Sequence, residues 1–117
     1  MSKNHKQTLK EANAAIVAGD FEGFLERCTE DTEWIFIGDE TLSGKTAVRE
    51  WMRKAYKSLP RFNVTQLIAE GNIVVAIGQI TVRDEDGNDT DSAYCDVWEF
   101  RDDKMARLRA YVVAKRA

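Results

Sequence analysis

An α+β fold is predicted by three observations. The first 60 residues carry apolar positions at helical spacing. Pro60, the single proline, ends that regime, and the residues beyond it alternate with the period of strands, separated by short Gly-bearing turns. Helices first and an antiparallel meander after them make two layers, with the amphipathic helices available to cover one face of the sheet.

The first helix is expected over about Lys6 to Ala18, where Leu9, Ala12, Ala15 and Ile16 share one side. Gly19 is a stop signal, and Asp20 is placed to cap a second, short helix carrying Phe21, Phe24, Leu25 and Cys28 on one side. "TEWIFI", residues 32–37, is a short run of β-formers and reads as a strand. Ser43 is the expected N-cap of a long helix that stops at Pro60. Its apolar stripe is Val48, Trp51, Met52, Ala55 and Leu59, with Tyr56 at the border; Arg49, Glu50, Arg53, Lys54 and Lys57 face water. Strands follow over Phe62 to Ala69, Asn72 to Arg83, Ser92 to Arg101 and Met105 to Val113. The turns "AEGN", "EDGN" and "DDK" join them. No repeat or linker interrupts the chain, and one domain over residues 1–117 is expected.

Composition narrows the function. With 44% apolar and 32% charged residues and a net charge of −3, the chain is not built for nucleic acid or an acidic membrane surface, and its basic residues form no patch. No apolar run reaches the ~18 residues of a membrane span, and "MSKNHKQTLK" is too polar for a secretion signal, so a soluble, cytoplasmic protein is expected. Cys28 and Cys95 are expected to be buried reduced thiols. His5, the only histidine, is expected in a frayed first turn, which sets aside histidine-based triads and His-rich metal sites. No metal or cofactor is implied, because no Gly-rich phosphate loop and no ligand-spaced His/Cys set exists.

The stretch "YCDVWEF", residues 94–100, carries the chemistry. In a strand, Tyr94, Asp96, Trp98 and Phe100 share a face, which sets a carboxylate among aromatic rings. Two roles stay open for Asp96: a chemical or ligand-anchoring group, or a buried acid that accepts hydrogen bonds and fixes the core. A bulge would turn it to the other face. The rings of Trp34, Phe36, Trp51, Tyr56, Tyr94 and Trp98 are likewise either core or the lining of a ligand-binding cavity, and three tryptophans suit a flat or hydrophobic ligand.

"AGDFEGFLERCTEDTEW", "LSGKTAVREWM" and "CDVWEFRDDKMARLRAY" together resemble the nuclear transport factor 2-like superfamily, in particular its SnoaL-like polyketide cyclase and ketosteroid isomerase branch, over about Leu9 to Val113. The resemblance implies a cystatin-like α+β roll: a curved antiparallel sheet wrapped around three N-terminal helices as a cone with a pocket at one end. It also implies a homodimer through the outer sheet face, where Val75, Ile77, Tyr111 and Val113 are suitable apolar residues. In a ketosteroid isomerase the residue matching Asp96 is a neutral acid that donates to an oxyanion.

The rest of that machinery is missing. The isomerase tyrosine aligns with Ala12, and its base falls at Ile35 or Phe36, neither of which can take a proton. The cyclase aspartate after "LRAY" is replaced by Val112 and Val113, and no histidine follows His5. An epoxide-hydrolase-like Asp-Arg-Asp set would find Asp96 and Arg109 but no third inward acid, and Arg109 is expected outside, opposite Leu108 and Ala110. The turn "RDDKM" has Asp103 where the family places Gly. The expectation is thus a SnoaL-like protein binding a small hydrophobic molecule, with Asp96 as the main polar group in a proton-transfer, cyclisation or hydration reaction. The alternative is a non-catalytic ligand-binding or interaction module with a packed interior. An open cavity onto which Asp96 faces favours the first.

Overall fold

The computed structural model describes residues 4–115. In chain order the elements are α1 (His5–Val17), α2 (Phe21–Glu26), β1 (Cys28–Phe36), β2 (Thr41–Ser43), α3 (Lys45–Ala55), β3 (Arg61–Glu70), β4 (Ile73–Arg83), β5 (Asp89–Arg101) and β6 (Lys104–Ala114).

The α+β class stands, but the cone does not. The six strands form one open sheet in the order β2-β1-β6-β5-β4-β3, and its two edge strands, β2 and β3, do not pair with each other. Closure would need those edges to meet, and β2 has only three residues to offer. The sheet is also not wholly antiparallel, because β1 runs parallel to β6, with Trp34 opposite Leu108 and Phe36 opposite Ala110. Nor do all three helices precede the sheet. α3 follows β1 and β2, and all three helices lie on one face, α1 against β3 and α2 and α3 against β1.

Local signals placed most boundaries. The Asp20 side chain accepts a hydrogen bond from the Gly23 amide at 2.9 Å and caps α2. Gly19, at φ +80°, takes the left-handed turn after α1. His5 is not frayed: Asn4 caps α1, and the His5 ring stacks on Phe100 at 4.2 Å. Three boundaries moved. Cys28 belongs to β1 rather than to the second helix, because its stretch pairs with β6, Cys28 lying opposite Met105. α3 is preceded by Gly44 at φ +88°, not capped by Ser43, which closes the short β2 instead. It ends at Ala55, so Leu59 leaves the stripe and is 46% exposed. At the "DDK" turn the left-handed residue is Asp102, at φ 57°.

The covered face of the sheet is apolar. Val74, Ala76, Tyr94, Trp98, Phe100, Leu108 and Ala110 are buried there against Leu9, Ile16, Phe24, Leu25, Val48 and Met52 of the helices. Cys28 is buried with them, and burial pushes its thiol up to about 12. Cys95 is only half-buried, because its odd phase in β5 puts it on the outer face.

Gly78 in β4 shows how closely the chain is drawn together near the future site. A Cβ there would collide with the Asn63 carbonyl oxygen of β3 and would come within 3.1 Å of the Tyr94 hydroxyl. Tyr94, its cross-strand partner, thus fills the space that a side chain would take. Gly78→Ala is expected to cost about 1–3 kcal/mol by overpacking, read as a lower urea midpoint at unchanged slope. An unchanged midpoint would show that β3 gives way freely.

Candidate functional site

Between the helices and the sheet lies a cavity of about 870 Å³, within the range of small-molecule sites. The interior is therefore not filled by side chains. Trp34 and Phe36 of β1, Trp51 of α3, Tyr56 just beyond α3, and Tyr94, Asp96 and Trp98 of β5 all line it. Residues scattered over 65 positions of sequence, from Trp34 to Trp98, meet there because β1 and β5 flank β6 and α3 crosses above β1.

The phase of β5 is settled by its register. β4 and β5 pair without a break from Ile73–Glu99 to Arg83–Asp89, and the irregularity against β6 falls between Glu99 and Phe100, beyond Asp96. Asp96 therefore points inward with Tyr94 and Trp98. Its cross-strand neighbours are Ala76 on β4 and Ala110 on β6. Of the two, Ala110 lines the cavity, and its methyl group leaves space beside the carboxyl on that side.

The rings form walls at steep angles. Trp34 stands edge-on to Phe24 at 5.6 Å, to Trp51 at 5.7 Å and to Trp98 at 6.0 Å. Trp51 meets Tyr56 at 5.3 Å and 82°. The Trp34 indole Nε1 is buried and has no hydrogen-bond partner among the described residues.

Asp96 is only partly buried, yet its pKa is pushed up to about 7, and the sole cause is burial. Neither a hydrogen bond nor a cation among the described residues offsets that burial. The charge of Asp96 in turn helps raise two phenols, after burial: Tyr94, pushed up to about 12, and Tyr56, raised further. The three oxygen-bearing groups thus sit close enough to feel one another. At neutral pH Asp96 exists in both protonation states, as a proton-exchanging group requires.

Several lining residues were not singled out from sequence. Phe24, Phe62, Ile80 and Val82 complete the apolar wall. The alternation of β4 could have flagged Ile80 and Val82, whereas Phe24 carried only a general core signal. Leu108 and Ala110 face inward and Arg109 outward, as their alternation requires. The mouth is exposed and charged, with Asp39, Asp84 and Glu85 against Lys54, Lys57 and Arg83. Lys57 pairs with Glu85 at 3.1 Å and Arg83 with Asp89 at 3.1 Å. Among the described residues no group of His, Cys, Asp and Glu is placed to hold a metal ion, and no helix is long and apolar enough to cross a membrane.

Fold and cavity define a class: α+β proteins with a ligand-sized, largely apolar chamber between three helices and one face of a sheet. The model of the SnoaL-like domain matches residues 9–108, and the chain belongs to that family. No curated protein sequence matches it significantly. Among solved structures it is similar to an NTF2-like protein of unknown function from Burkholderia pseudomallei. That match has a TM-score of 0.85 and 20% identity, covering 93% of this chain and 90% of that one. It is also similar to SalBIII, an epoxide hydrolase/cyclase-like enzyme of pyran ring formation in salinomycin, with a TM-score of 0.86, 17% identity and 95% of each chain covered. TerC, co-crystallised with polyporic acid, gives a TM-score of 0.79 at 22% identity over 91% of this chain and 88% of that one. Likeness at such identities speaks for the fold alone.

Proposed function

We propose that this protein binds a small, mainly hydrophobic molecule in the cavity and that Asp96 exchanges a proton with it, in a proton-transfer, cyclisation or hydration step. One observation carries the reading: a single carboxyl faces into an aromatic chamber, bare of partners among the described residues, with alanines on both sides. As a base, the Asp96 carboxylate would take a proton from the ligand and return it as the product forms. The six lining aromatics named from sequence would supply the apolar contact. SalBIII and TerC, which share the fold, support a small-molecule role.

The test is a thermal-shift screen against flat polycyclic, steroid-like and terpenoid compounds, on wild type and Ala110→Leu. A compound bound to the folded state raises the melting temperature by mass action. Wild type should respond and Ala110→Leu should not, because the leucine fills the floor beside Asp96. Equal shifts in both, or none in either, would overturn the reading. Hits are then assayed for turnover in wild type and Asp96→Asn.

A second reading, a binding module without catalysis, is favoured by one feature. The other acids that line the cavity, Asp39, Asp84 and Glu85, are all exposed at its mouth, so among the described residues Asp96 has no second acid or base beside it in the interior. Binding without turnover would select it. A homodimer through the outer sheet face is also proposed. Tyr111 and Val113 are 45% and 69% exposed, and half-buried Val75 and Ile77 continue the same apolar face. A concentration-independent monomer in sedimentation would rule it out.

A further inference from the structure

We infer that the molecule this cavity takes is a hydrophobic organic cation, an amine or quaternary ammonium whose positive charge rests between the Asp96 carboxylate and the surrounding ring faces. This rests on the binding reading above and names the ligand's chemistry.

Three features of the chamber point the same way. The first is the bare carboxyl. A buried acid that serves the fold is normally hydrogen-bonded or paired, and Asp96 is neither among the described residues. The cavity's basic residues, Lys54, Lys57 and Arg83, are exposed at its mouth, and two of them are engaged by Glu85 and Asp89. The counter-charge is therefore free for a ligand to supply.

The second feature is the arrangement of the rings. An aromatic face is electron-rich and attracts cations, most strongly when water is excluded. Trp51 stands at 68° to Trp34 and at 82° to Tyr56, and Trp34 stands at 82° to Trp98. These rings all line the cavity that Asp96 faces, so a ligand there is surrounded by aromatic surface. Tyr94 and Trp98 flank Asp96 two residues away on the same strand face, so ring and carboxyl address the same space. The third feature is access, since Asp96 and its neighbour Ala110 both line a cavity of about 870 Å³, and a methyl group is all that stands beside the carboxyl on that side.

An anionic ligand would meet an acid and aromatic rings, with no interior cation among the described residues to receive it. A neutral oxygen acceptor would need Asp96 protonated and would gain little from the rings. The cation alone uses every feature.

The pH dependence follows in sign. A quaternary ammonium carries no proton, so its affinity changes only through the protein. It favours ionised Asp96, and affinity should rise with pH through about 7 and level off above. The groups facing Asp96 are the phenols of Tyr56 and Tyr94, both raised and neutral over that range. At the mouth Asp39, Asp84 and Glu85 oppose Lys54, Lys57 and Arg83, with no net charge. His5 lies against Phe100, outside the lining.

The experiment is calorimetric titration of the full chain at pH 6.0, 7.0 and 8.5 with three naphthalene probes, the first two of one shape. They are (2-naphthylmethyl)trimethylammonium, its neutral carbon isostere 2-neopentylnaphthalene, and 2-naphthylacetate. At pH 8.5 the cation should bind about tenfold or more tighter than the isostere, and the gap should narrow several-fold at pH 6.0. In Asp96→Asn the gap should shrink to the few-fold of ring contacts alone and lose its pH dependence. If cation and isostere bind alike, or the anion binds best, the inference falls while the cavity reading stands. If none binds, both fall.

Discussion

Asp96→Asn is expected to be more stable than wild type at pH 8 and equally stable below about pH 3. The carboxyl has an ordinary pKa of 3.8 in the unfolded chain and one of about 7 in the fold. Below about pH 3 both states hold the proton, and no difference arises. Between pH 4 and pH 7 the unfolded chain loses its proton while the fold keeps it, so wild-type stability falls as pH rises, then stays level. The full shift corresponds to about 4 kcal/mol; because the carboxyl is partly open to the cavity, roughly 2–4 kcal/mol is expected. That is on the order of 10 °C in melting temperature for a chain of this size. Surface carboxylates held low by arginines, such as Glu22 beside Arg49 and Asp89 beside Arg83, move stability the opposite way, gaining it above pH 4. They are common to both proteins and cancel in the difference. Parallel pH–stability curves for the two proteins would show that Asp96 has a partner and is a structural acid after all.

Phe24→Ala is expected to cost about 3–5 kcal/mol. Phe24 is fully buried and stands edge-on to both Trp34 and Trp98, at 5.6 Å and 6.2 Å. It is therefore the ring that ties α2 to two strands of the sheet. Its removal takes contacts from both indoles and enlarges a cavity that is already large. Urea denaturation should show a much lower midpoint. Trp51→Ala, at a half-buried ring that lines the cavity, should cost less stability and more ligand affinity. A loss below about 1 kcal/mol for Phe24→Ala would mean that the helix layer repacks over the gap.

The contrast between these two residues shows where sequence reading works. Asp96 could be found because it interrupts a strand of aromatic residues, and its inward direction followed from period-two alternation. Trp34, Phe36, Trp51, Tyr56, Tyr94 and Trp98 could be named as core or lining, and the cavity they share separates those two readings. Phe24 looked like one apolar residue among several, since nothing local distinguishes a ring at the head of a cavity from one in a solid core. The helix after Ser43 was drawn one turn too long, because Leu59 continued the stripe while Tyr56, buried as the chain leaves α3, ended it.

By itself the sequence determined the α+β class, the caps at Asp20 and Gly19, the strand phases of β5 and β6, and the family. These rest on interactions within a few residues of chain, or on motifs in fixed order. Only the tertiary structure decided that the sheet stays open, that β1 joins β6 in parallel, and that the three helices leave a chamber unfilled beside Asp96. Those outcomes depend on which edges meet and which side chains arrive from distant positions. The pKa of Asp96 belongs to the same group, because it is set by the partners that do not reach it.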